Sequence, residues 1–181
     1  MKKHISAKQL TVTALLLALC IVFQSFKGTS PVAPYLTGSA VNCISLIATL
    51  YCGLWSGTCI AFLTPIIAYF IGATPIVNMI PLMMPVIMLG NECLVLSAGL
   101  LKKKCLPLGL LIGCVTKTAF LWITVWFAVL PLFGAKLPEQ VVTTAKTMFS
   151  FLQLIAAAIG SVIAWVIYKK GIIRYENTGN F

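Results

Sequence analysis

Apolar positions fall into six long runs along the chain, separated by short polar, glycine-rich or proline-marked stretches. A helix that crosses a bilayer needs about 20 mostly apolar residues. The runs therefore predict six transmembrane helices, at 10–26, 35–52, 55–72, 76–101, 106–132 and 145–168, in a single membrane domain, 1–181. Runs two and three hold 18 residues each and meet at Gly53-Leu54-Trp55-Ser56-Gly57. A re-entrant hairpin is the alternative there, but that much apolar chain suits two short helices better. Run one follows Lys2, Lys3 and Lys8 and has the outline of a signal peptide. After Phe26 comes Lys27-Gly28-Thr29-Ser30-Pro31, without a small-residue cleavage pattern, so a retained helix is expected.

Composition agrees with the runs. Apolar residues make up 60% and charged residues 9% of 181 positions, and mean hydropathy is +1.04. Soluble domains average roughly 45–50% apolar and about 25% charged. An all-α integral membrane protein is expected. The net charge of +10 is not a nucleic-acid footprint, because the basic residues sit in short clusters between apolar runs. Lys2, Lys3 and Lys8, then Lys102, Lys103 and Lys104, then Lys169, Lys170 and Arg174 supply nine of the thirteen. Lysine and arginine concentrate on the cytoplasmic side. Six helices with both termini cytoplasmic put all three clusters there, whereas an odd number would split them.

Several chemistries lack their residues. The acids are Glu92, Glu139 and Glu176, and there is no Asp, so an Asp-rich Mg²⁺ site has no ligands. Seven cysteines form no C-x-x-C pair, and the single histidine is His4, so neither a metal nor another cofactor is expected. There is no phosphate-binding P-loop and no Ser-His-Asp set. Binding and transport fit better than catalysis.

Ionisable groups at membrane depth are costly and need a partner or a function. Glu92 lies ten residues before Lys102, about 15 Å up the fourth helix. Lys117 reaches a similar depth on the fifth. They read as an ion pair, as a polar substrate site suited to a zwitterion or to a heterocycle with both donors and acceptors, or, through Glu92, as a proton-coupling site. On helix five, Gly109, Gly113 and Lys117 follow at i+4 spacing, which puts Lys117 on a closely packed face. Trp122 and Trp126 point away from it and read as lipid-facing. Gln153, Asn42 and Asn78 lie in the outer half, and Pro81 and Pro85 interrupt helix four between Asn78 and Glu92. Asn42, Asn78, Glu92, Lys117 and Gln153 thus become candidate substrate-binding residues, with Met79, Met83, Met84 and Met88 as an adaptable wall. A binding role then puts the expected entry between the outer segments 27–34 and 73–78.

Ala14-Leu15-Leu16-Leu17-Ala18 on helix one allows close approach of another helix. With this A-x-x-x-A step, the basic N-terminus before it, the size and the six helices, the chain resembles the S components of energy-coupling factor (ECF) transporters. These are the substrate-binding membrane subunits of prokaryotic vitamin uptake systems. The resemblance implies a high-affinity vitamin or micronutrient binder in the cell membrane. It implies that Ala14 and Ala18 pack against a T component, itself joined to two ATPase subunits, which accounts for the missing P-loop. It also implies capture from outside, in a pocket closed by outer loops and the later helices. An autonomous ion-coupled carrier using Glu92 is the alternative, and a ligand-free structural subunit is a third.

Overall fold

The computed structural model describes residues 6–26, 33–73 and 75–171. Among them it contains helices and no strand. Helix α1 spans Ala7–Ser25, with the Ser6 hydroxyl accepting from the Gln9 amide at its start. α2 spans Ala33–Ile47 and continues through a π-helical turn, Ala48–Cys52. α3 is Leu54–Phe70, α4 the short Pro75–Met79, and α5 Met83–Leu101. α6, Leu106–Thr124, continues through a π turn, Val125–Val129, into α7, Leu130–Phe133. α8 is Glu139–Met148 and α9 is Phe151–Lys169.

Local chemistry accounts for the breaks. Pro81 lacks an N–H and disfavours helix at Ile80. The run 76–101 therefore splits into α4 and α5, joined by a turn in which Met83 N donates to Ile80 O at 2.9 Å. Pro85 falls in the first turn of α5, where a missing N–H costs no helical bond. The widened turn at 125–129 precedes Pro131, whose ring would clash with the Phe127 carbonyl in a regular helix. The run 145–168 is interrupted at Phe149–Ser150, so α9 begins at Phe151 rather than 145. The ten residues of α8 cover about 15 Å, too little to cross a bilayer.

Five helical stretches are long and apolar enough to span a membrane: Ala7–Ser25, Tyr35–Cys52, Met83–Leu101, Leu106–Lys136 and Glu139–Lys169. α3 is a shorter apolar helix. α2 is the central element, with 67% of its stretch buried against 11% for α1. It packs chiefly on α9, while α5 packs on α6. The α2–α9 crossing is close because α9 presents Gly160: a Cβ there would lie 2.6 Å from Ser39 O and 2.8 Å from Asn42 Cβ. One apolar cluster, with Leu46, Leu50, Leu94 and Leu110, fills one half of the bundle. A second, with Val77, Met83, Leu121, Val125 and Phe149, fills the other.

The first half ends in a basic rim. Lys102 Nζ donates to Leu50 O at 2.5 Å, taking up a carbonyl of the π turn, and lies 5.6 Å from the Tyr168 ring centre. Gln9 Nε2 donates to Cys52 O, and Tyr51 OH donates to Ile167 O at 3.1 Å. Burial, reinforced by the neighbouring Lys103 charge, holds the Lys102 ammonium below its ordinary value of 10.5. The start of α1, the α2–α3 turn, the 102–104 loop and the end of α9 thus meet at one end of the bundle. Lys2, Lys3 and Arg174 lie outside the described residues.

Candidate functional site

In the half away from this rim lies a cavity of about 110 Å³ among α1, α2, α3, α5, α6 and the α8–α9 junction. Its polar lining includes Gln24, Thr37, Asn42, Thr64, Asn91, Lys117 and Gln153, and its apolar lining includes Leu121, Met148 and Phe149. Lys117 is 3% exposed. Its Nζ donates to Asn42 Oδ1 at 2.5 Å and to Asn91 Oδ1 at 2.8 Å. An ammonium has three donors and no acceptor, so two amide oxygens are suitable holders.

Each holder is positioned by a specific packing event. Asn42 sits on α2 where Gly160 lets α9 approach. Asn91 is oriented from the α3 side. Pro65 lies inside α3 and offers no N–H, which leaves the Ala61 carbonyl without its helical donor. Asn91 Nδ2 donates to Ala61 O at 3.5 Å. Its amide oxygen is thereby turned toward Lys117. The Thr64 hydroxyl donates to Ile60 O at 2.8 Å, and that of Thr37 to Phe23 O at 3.2 Å. Both oxygens keep acceptor capacity. Gln24 is 4% exposed, and its Oε1 is buried without a hydrogen-bond partner.

The family model for "ECF transporter, substrate-specific component" matches residues 8–170. The chain belongs to the substrate-specific (S) components of ECF transporters. With its apolar helices, it is a multi-pass membrane protein. No curated protein and no solved structure matches it significantly.

Three of the five residues singled out in this S component come together at the cavity: Asn42, Lys117 and Gln153. Glu92 does not line it. One residue on from Asn91, it is turned about 100° around α5, and its Oε1 accepts from Thr58 on α3 at 2.8 Å. Asn78 sits on α4 and is exposed, outside the lining. The break at Pro81 removes the continuous helix that would have aligned it with Glu92. Met79, Met83, Met84 and Met88 do not line the cavity either: Met83 is buried in the apolar cluster, Met79 is exposed, and Met148 is the methionine at the cavity. Trp122 and Trp126 are exposed, 42% and 37%, on the face away from Lys117. Of the expected entry, 27–32 and 74 lie outside the described residues.

Sequence reasoning missed Asn91 and Gln24. Both carry the signal that singled out Asn42, an amide within an apolar run. Ala14 and Ala18 are exposed on α1, with Leu10 and Leu15 each 65% exposed beside them. The only buried residues of α1 are Cys20 and Gln24.

Proposed function

We propose that this S component captures a vitamin-like micronutrient with high affinity in the cavity walled by Asn42, Asn91 and Lys117. Capture is from the outer face of a prokaryotic cell membrane. In this reading six helices cross the bilayer, α3 among them, and both termini are cytoplasmic. A T component and two ATPase subunits supply the energy, with the T component contacting the Ala14–Ala18 face. The single observation that carries the site is a 3% exposed lysine held by two amide oxygens at the wall of a cavity. A buried charge at membrane depth is a functional element by default. The gathering of the described lysine clusters at the opposite end supports the outward orientation.

The decisive experiment is mass spectrometry of small molecules released from the purified, detergent-solubilised chain. A vitamin-like compound should be enriched, retained in Glu92→Gln, and lost in Lys117→Met. Enrichment that survives both Lys117→Met and the cavity-filling Ala68→Phe would overturn the site.

One observation favours the second reading, an autonomous ion-coupled carrier: Glu92 Oε2 is buried without a hydrogen-bond partner. That reading requires uptake into liposomes without ATPase subunits, abolished by Glu92→Gln. Liposomes that stay inactive until the ATPase module is added would remove it.

A further inference from the structure

Three features of the cavity together describe what it takes. The first is charge. Among the described residues, the lining contains one cation, Lys117, and no acid. The glutamate that would have suited a zwitterion is engaged with Thr58 on α3. A ligand ammonium placed here would meet a like charge at low dielectric, where repulsion is strong. A ligand carboxylate would instead form charge-assisted hydrogen bonds, roughly twice as strong as neutral ones.

The second feature is the orphan acceptor. Gln24 is 4% exposed, on α1, and its Oε1 lacks a partner. Leaving a buried acceptor unsatisfied is costly, because it has given up its hydrogen bond to water. A ligand N–H or O–H would satisfy it. The third feature is size. The cavity measures about 110 Å³, and an apolar cavity of about 150 Å³ takes up benzene. The wall adds flat and flexible apolar groups, Phe149 and Met148, beside Leu121.

We infer that the cavity selects a small monoanion: a carboxylic acid about one ring in size, with a hydrogen-bond donor set apart from the carboxylate. The inference rests on the cavity being the substrate site. Lys117 binds the carboxylate while Asn42 and Asn91 hold its ammonium in place. Gln24 accepts from the donor.

The test uses the full chain in dodecyl maltoside and thermal stabilisation as the readout. The probes are three acids with their neutral amides: benzoate and benzamide, 4-aminobenzoate and 4-aminobenzamide, pyridine-3-carboxylate and pyridine-3-carboxamide. At least one acid should stabilise the chain with about tenfold or greater preference over its amide, the low end for a buried charge partner. Lys117→Met should abolish that preference. Gln24→Leu should remove any advantage of 4-aminobenzoate over benzoate. Amides that stabilise as well as their acids overturn the inference, as does a panel in which no acid stabilises the wild type. The site reading is judged separately. It survives if a neutral or cationic compound co-purifies with the wild type and is lost in Ala68→Phe, which fills the cavity. It falls if neither the panel nor a co-purifying compound responds to Ala68→Phe.

Discussion

Lys117 Nζ, on α6, donates to Asn91 Oδ1, on α5, at 2.8 Å. The amide that makes this bond is turned by a carbonyl on a third helix, freed by Pro65. A proline on α3 thereby sets the position of a charge on α6. Asn91→Leu should leave the ammonium short of an acceptor and the Ala61 carbonyl unpaired, at a cost of about 1–3 kcal/mol. Asn91→Asp should instead add a carboxylate beside Lys117 and cancel the charge of the cavity. Its thermal midpoint should match or exceed that of Asn91→Leu, while affinity for carboxylate probes falls about tenfold or more. Denaturation and ligand titration of both variants check this.

Gly160 determines how closely α9 approaches α2. A Cβ there would press on Ser39 O and on Asn42 Cβ. Gly160→Val should destabilise by about 1–3 kcal/mol through overpacking. It should also weaken ligand binding, because Asn42 stands at the point of contact. Binding unchanged alongside a lowered midpoint would separate Asn42 from the site.

Leu121 is 1% exposed and lines the cavity. Leu121→Ala should enlarge the cavity and cost about 2–5 kcal/mol, the range for such truncations in cores. A two-ring acid such as 2-naphthoate should stabilise this variant and leave the wild type unaffected. Comparing thermal shifts of the two proteins with benzoate and 2-naphthoate checks the size limit.

Lys102 couples stability to pH. Burial and the Lys103 charge lower its proton affinity in the folded protein relative to the ordinary 10.5. Between the lowered value and 10.5 the unfolded chain binds more protons than the folded one. The Lys102 contribution therefore rises with pH across that interval and is constant below it. The stability of the wild type relative to Lys102→Met should increase as pH is raised toward 10.5. Tryptophan fluorescence during denaturation, read as the difference between the two proteins, checks the sign.

Ala14 and Ala18 are exposed on α1 and support none of the buried contacts described. Replacing both with Trp should leave the thermal midpoint and ligand titration of the isolated chain unchanged. It should abolish co-purification with the energy-coupling module and uptake by whole cells. A double variant that still assembles would place the partner surface elsewhere.

The apolar runs and the charge pattern made the membrane class legible, because the lipid core selects on length and hydropathy, which are local properties. Lys117 was legible as a packed residue from the Gly109–Gly113–Lys117 spacing, since helical phase is also local. Asn42 and Gln153 followed from depth. Glu92 and Asn78 lie outside the cavity lining for definite reasons. A residue next to the right one on a helix faces a different neighbour, and Pro81 broke the phase that linked the two. The cavity boundary at Phe149 was not legible either, since the break after α8 has no proline to announce it.

Run length and hydropathy suffice to make this chain a membrane protein of several apolar helices, and to mark the residues too polar to face lipid. The small-residue step at Ala14–Ala18 and the basic punctuation, which carry the family resemblance, are likewise local. Which polar groups meet depends on the packing of the helices. Asn91 accepts from Lys117 while Glu92 accepts from Thr58, and Gln24 enters the cavity from a helix whose only other buried residue is Cys20. The reason is physical: depth and periodicity act along one chain segment. Partnership depends on rotation and spacing between helices, and those are set by Gly160 and Pro65 acting across the bundle.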